Sequence, residues 1–169
     1  LKQFNMHKQR KIIMMPNSFL LQDKDLKALT KNNIKIVTKK KPTKKELDDL
    51  VFADKVVKHV RSNAIVIAHN STTVGIGSGN TSRVDSVKFA IMKSERNTNI
   101  RKIGGKKLNG LVLASDAFFP FSDSIYLAKK IGVSSIIQPG GSINDKKIIE
   151  QTNKEKISMV FSYKRSFSH

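Results

Sequence analysis

Between residues 111 and 161 short apolar runs alternate with helical stretches. Residues 111–114 read as a buried strand, and Asp123 then caps a helix through Ile131 that Gly132 closes. Residues 135–138 are the next strand, Pro139-Gly140-Gly141 turns into a helix around residues 146–153, and residues 157–161 return as a strand. Strands separated by crossover helices pair in parallel and need helices on the sheet faces, so this rhythm restricts the chain to an α/β layer architecture. A chain of 169 residues can bury one such core without metal or disulfide staples. The absence of cysteine excludes disulfides, thiolate zinc sites and a cysteine nucleophile. No stretch approaches the roughly 20 consecutive apolar residues of a spanning helix, and no leader pattern opens the chain. The expectation is a soluble, cytoplasmic protein without a membrane partner, and the start at Leu1 reads as a piece of something longer.

Upstream, residues 12–15 and 19–21 are apolar enough for two short strands, and residues 34–38 read as a third. Thr43 and Glu46 have the spacing of a capping box, and Leu47, Leu50, Val51, Val57 and Val60 then recur at helical intervals, predicting one amphipathic helix over residues 43–60. The apolar run 64–68, the turn residues His69-Asn70-Ser71 and the run 72–76 predict a hairpin. Ser82 can cap a helix carrying Val84, Val87, Ala90 and Ile91 that ends before Asn97, with residues 97–109 as a polar loop.

The formal charge of +19 would attract polyanions. Its distribution argues against a dedicated arm, because residues 1–61 carry sixteen basic groups and residues 62–169 another sixteen. The excess is lysine, with only six arginines, whereas bidentate phosphate and base readout favours the guanidinium fork. There is no tryptophan for base stacking. Lys, Ile and Asn supply 56 residues, a usage that A/T-rich codons produce without selection for a nucleic-acid partner.

Three segments fall where an open α/β sheet collects ligands, beyond the carboxyl ends of strands. The run from Gly75 to Arg83 (GIGSGNTSR) can bring backbone amides and Arg83 to an anion, or can be a tight turn needing positive φ. Residues 115–123 (SDAFFPFSD) place three phenylalanines around a proline between two aspartates. They suit a flat aromatic ligand, stacked on the rings and hydrogen-bonded at its edge, or else a hydrophobic plug. Residues 138–142 (QPGGS) form a third glycine turn. The four histidines, His7, His59, His69 and His169, have no metal-ligand spacing, and no acid-base pair can be assigned.

These segments, with Phe52-Ala53 through Ser62-Asn63 and the terminal Arg165-Ser-Phe-Ser-His169, resemble the C-terminal part of the bifunctional purine biosynthesis family that joins AICAR (5-aminoimidazole-4-carboxamide ribonucleotide) transformylase to IMP cyclohydrolase. Five motifs keep their order and spacing from about residue 20 to the end. The resemblance implies a cytidine-deaminase-like three-layer α/β/α subdomain with a mixed sheet over residues 34–169, preceded at residues 1–33 by the tail of a neighbouring subdomain. It implies formyl transfer from the cosubstrate 10-formyltetrahydrofolate to AICAR. Asn63 would be the catalytic amide, Arg83, Phe118, Asp123 and Arg165 would bind substrate, and no metal would serve catalysis, with room left for a monovalent cation. It further implies a homodimer with the active site at the interface, and no nucleic-acid partner.

The family's reactive Lys-His pair belongs to the upstream copy, and Lys58-His59 is not that pair, so little turnover is expected of this chain alone. Ser122 stands where the family usually has arginine, and Asp54, Asn17-Ser18 and Ser168 also depart from its pattern. A basic RNA-associated module and an inactive dimerisation remnant are the rival readings.

Overall fold

The computed structural model describes residues 10–23, 29–100 and 109–166. Strands β1 (Arg10–Met15) and β2 (Ser18–Asp23) form a separate antiparallel hairpin, turned at Pro16-Asn17 with Asn17 at φ 61°. The rest of the chain contributes β3 (Lys35–Ile36), α1 (Lys44–Val57), β4 (Ile65–His69), β5 (Thr72–Gly77) and α2 (Arg83–Ile100). After these come β6 (Leu111–Ser115), α3 (Asp123–Lys130), β7 (Val133–Gln138), α4 (Asp145–Lys154) and β8 (Ser158–Phe161).

Six strands build one mixed sheet in the order β3-β8-β7-β6-β4-β5. The alternating segment supplies its parallel centre, β6 beside β7 beside β8, as the crossover rhythm requires. The hairpin β4–β5 joins β6 antiparallel, and β3 joins β8 antiparallel at the opposite edge. Because side chains alternate across a strand, the sheet feeds two cores. On one face Val66, Ala68, Val112, Ala114, Ile137 and Val160 pack beneath Leu50, Ala53 and Val57 of α1. On the other, Ile65, Ile67, Leu113, Ile136 and Met159 pack beneath Val87 and Ala90 of α2, Ile125 and Ala128 of α3, and Ile148 of α4. The three-layer α/β/α expectation is met by this packing.

Local chemistry explains the element ends. Thr43 Oγ1 accepts the Glu46 N–H at 3.2 Å while Glu46 Oε2 accepts the Thr43 N–H at 2.7 Å, which completes the capping box. Helix α1 stops at Val57, three residues short of the expected Val60. The β4–β5 turn places Asn70 and Ser71 at φ 51° and 50°, and the buried Asp49 carboxylate of α1 accepts both their N–H groups at 2.9 and 2.7 Å. Only Lys35 and Ile36 of the predicted strand 34–38 keep regular pairing; beyond them the Val37 N–H donates to Met159 O and Thr38 Oγ1 accepts the Met159 N–H.

Two further expectations are corrected. Helix α2 runs through Asn97 to Ile100, because Asn97 Nδ2 donates to Val74 O at 2.8 Å and ties the polar end of the helix to β5. Of the predicted loop, residues 101–108 lie outside the described residues. Asp123 does not cap α3: Ser122 is the flanking residue, without a side-chain cap bond, and Asp123 is the first helical residue, its Oδ1 accepting the Ser124 N–H. No helix among the described residues is long and apolar enough to cross a membrane.

Candidate functional site

The antiparallel and parallel strands bring to one end of the sheet the carboxyl ends of β5, β6, β7 and β8, the entry to β4 and the N-terminus of α2. Glycine permits the tight seating of that helix. A Cβ at Gly75 would lie 2.1 Å from Ala90 O, and one at Gly77 would lie 1.9 Å from Ser86 O. Neither residue has positive φ, so their role is close approach of helix to strand; only Gly79 of this loop is left-handed, at φ 68°. Ser82 caps α2, its Oγ accepting the Asp85 N–H at 3.2 Å and donating to Asp85 Oδ2 at 2.6 Å. That hydroxyl, with Lys88, holds the Asp85 carboxyl below the usual aspartate range.

A cleft of about 370 Å³ opens between the start of α2 and the aromatic loop, lined among others by Asn63, Arg83, Phe118, Phe121 and Asp123. Four of the five site residues expected from the sequence therefore share one wall system. Asn63, next to the cis Ser62–Asn63 peptide, donates through Nδ2 to Asn80 O and Thr81 O at 3.0 and 3.3 Å and accepts Arg83 Nη2–H at 3.1 Å. Arg83 is buried, and its Nη1 donates to Ser115 Oγ at 2.8 Å and Asp116 Oδ1 at 2.5 Å. The guanidinium that reaches this cleft thus has an internal counter-ion, so it presents directed N–H groups more than a bare charge.

The three phenylalanines divide. Phe119 is the plug: it is buried, and its N–H donates to the buried Gln138 Oε1 at 2.8 Å. Phe118 is half-buried and Phe121 is exposed, which leaves two rings for a ligand. Arg165 stands apart from the other four. Its guanidinium lies 4.8 Å from the centre of the Phe118 ring, but it lines a neighbouring cleft of about 570 Å³ with Lys35, Gly140, Gly141, Asp145 and Tyr163. In that cleft Gly140 and Gly141 have φ 71° and 87°, the Gly141 N–H donates to Asp145 Oδ2 at 2.7 Å, and Asp145 Oδ1 is buried with no partner among the described residues.

His59 is exposed, and His69 Nδ1 lies 3.4 Å from Gly110 O. His7 and His169 lie outside the described residues. Among the described residues no group of three or more His, Asp or Glu gathers to hold a metal ion. The sequence places Asp116 and Gln138 on candidate segments but assigns neither an individual role. Both are polar residues at the carboxyl end of an apolar strand, the position from which a side chain can pin a loop.

A mixed sheet covered on both faces, with a polar and aromatic cleft at its carboxyl edge, defines an α/β/α domain with a candidate site at that edge. The sequence model of the AICARFT/IMPCHase bienzyme family matches residues 1–93, and the chain belongs to that family. It is 52% identical over 150 residues to the bifunctional purine biosynthesis protein PurH of Caldicellulosiruptor saccharolyticus, covering 89% of this chain and 27% of that protein. It is 51% identical over 151 residues to PurH of Aquifex aeolicus, covering 89% and 28%. The chain thus spans little more than a quarter of the length of the curated relatives it matches. Among solved structures, dCMP deaminase of the cyanophage S-TIM5 in apo form is similar at 11% identity and a TM-score of 0.42, over 68% of this chain and 94% of that one. A diaminohydroxyphosphoribosylaminopyrimidine deaminase/reductase from Thermotoga maritima is similar at 15% identity and a TM-score of 0.41, over 68% and 34%.

Proposed function

We propose that this chain supplies half of the pocket of an AICAR transformylase, which moves a formyl group from 10-formyltetrahydrofolate to the 5-amino group of AICAR in purine biosynthesis. The parent protein would add IMP cyclohydrolase in a separate domain. The observation that carries the reading is the convergence of Asn63, Arg83, Phe118 and Asp123 on one cleft. Two ring faces with a carboxylate at the rim suit a flat, donor-edged heterocycle, which matches a pterin at Asp123. The carboxamide of the ribonucleotide suits the directed N–H groups of Arg83. Attack of the amine on the formyl carbon develops positive charge on the amine nitrogen. Asn63 Oδ1, held in place by Arg83 and by the Nδ2 bonds to Asn80 O and Thr81 O, keeps a lone pair that can hold the amine and stabilise that charge. Arg165, exposed and next to Phe118, is assigned to the phosphate. In a cytoplasmic homodimer of the parent protein, the upstream transformylase half completes the site at the subunit interface, with a monovalent cation as a further ligand.

The chain alone should turn over little. Mixed with the upstream transformylase half of the Aquifex relative, it should restore formyl transfer, read as release of tetrahydrofolate. Both AICAR and folate should raise its unfolding temperature, because a ligand that binds only the native state stabilises it by mass action. Arg165→Ala should abolish the AICAR shift and keep the folate shift. Failure of both complementation and ligand shifts would sink the proposal. RNA binding with a steep salt slope and no ligand response would favour the basic-module reading.

A further inference from the structure

One buried carboxylate outside the expected set touches the supports of three site residues. Asp116 is 1% exposed and begins the aromatic loop. Its Oδ1 accepts from Arg83 Nη1 at 2.5 Å, and its Oδ2 accepts from Ser62 Oγ at 2.6 Å, next to Asn63. Its N–H donates to Ala64 O at 3.2 Å, and its carbonyl accepts the Ser166 N–H at 2.9 Å, next to Arg165. A single residue therefore joins the strand entry at residues 62–64, the start of α2 and the segment after β8.

We infer that Asp116 is the positioning residue of the cleft, fixing the direction of the Arg83 guanidinium and, through Ser62, the place of Asn63. The physical reason is the burial of both charges, 7% exposed for the Arg83 side chain and 0% for that of Asp116. A guanidinium on a long flexible stem stays in such a place only against a counter-ion, and removing one member leaves the other as an uncompensated buried charge. Without Asp116, Arg83 turns toward solvent and the cleft loses its directed N–H groups, although no atom of Asp116 needs to touch substrate. The effect on AICAR binding rests on the transformylase reading; the ordering of Arg83 does not.

The test uses the full chain in two arms. In calorimetric titration with AICAR, Asp116→Asn should weaken binding at least tenfold. Arg83→Met should do the same, and the double variant should bind within twofold of Arg83→Met, because one residue acts through the other. Losses that add in the double variant would overturn the inference. In the second arm, nitrogen-15 spectra should show slowly exchanging guanidinium resonances of Arg83 in the parent chain, assigned by their loss in Arg83→Met. They should vanish in Asp116→Asn and persist in Ser115→Ala; persistence in Asp116→Asn would overturn the inference. If the parent chain binds no AICAR, the functional proposal falls and the spectra alone decide on Asp116. Should Asp116→Asn not fold, Asp116→Glu takes its place: it keeps the counter-ion but displaces it by one methylene. The Arg83 guanidinium resonances should then persist at shifted positions and AICAR binding should weaken, and unshifted resonances with parent affinity would overturn the inference.

Discussion

The β1–β2 hairpin and the β4–β6 pair are antiparallel ribbons of similar apolar content in very different surroundings. Ile65 and Ile67 lie opposite Ser115 and Leu113 with a helix on each side of the sheet, and both isoleucines are fully buried. In the hairpin, Ile12 faces Leu21 and Met14 faces Phe19 across the strands, yet Ile12 is 61% exposed and the other three are exposed as well. Strand pairing satisfies the backbone in both places. What differs is the cover, and a lone two-stranded ribbon has little stability of its own in water. The contrast shows that β-pairing and burial are separate events, with helices supplying the second.

The sharpest break of that contrast is a pair of truncations. Ile67→Ala should cost about 2–5 kcal/mol in urea unfolding, through lost transfer energy and the cavity left behind. Ile12→Ala should change stability by less than about 0.5 kcal/mol. Equal losses would mean that the hairpin is covered in solution. Next comes the seating of the cover itself. Gly75→Ala should cost on the order of 3 kcal/mol by overpacking, because the new Cβ meets the backbone oxygen of Ala90. Amide exchange along α2 should rise with it. Gly79→Ala meets no neighbour and carries only the left-handed strain of roughly 1–2 kcal/mol, with α2 unaffected.

The smallest effect is acid loosening of α1. Burial raises the Glu46 carboxyl, but hydrogen bonds from Ser134 and from Thr43 outweigh it and hold the group below its ordinary 4.5. A depressed folded value means that Glu46 contributes stability above pH 4.5 and loses it as pH falls through the lower folded value. The stability gap between the parent chain and Glu46→Gln should therefore be constant near neutrality and narrow in acid. A gap independent of pH would show that the ionised form is not the one stabilised.

Local grammar was readable where it is local. The Thr43 and Glu46 capping box, the hairpin at Asn70-Ser71 and the crossover rhythm after residue 111 each depend on residues a few positions apart, and each forms as the spacing predicts. What escaped depends on distant partners. Asn97 continues a helix only because Val74 O waits for its amide. Gly75 and Gly77 look like turn glycines until α2 is laid across them. Phe119 separates from Phe118 and Phe121 only once Gln138 reaches its N–H. Of the site, the residues on motif segments, Asp116 among them, could be read as candidates, whereas the positioning role of Asp116, whose partners lie more than thirty positions away, could not.

The strand order has a consequence for synthesis. The latest of the described strands in chain order, β8, does not lie at a margin; it is inserted between β7 and β3, the latter made more than a hundred residues earlier. Until residues 158–161 emerge, Lys35 and Ile36 have no neighbour, and Ile137 and Leu50 face the space that Val160 will fill. Closure of so long a loop is slow compared with local helix formation. The nascent chain must therefore reach residue 161 before the sheet becomes continuous, and loss of β8 would detach β3 from the other four strands.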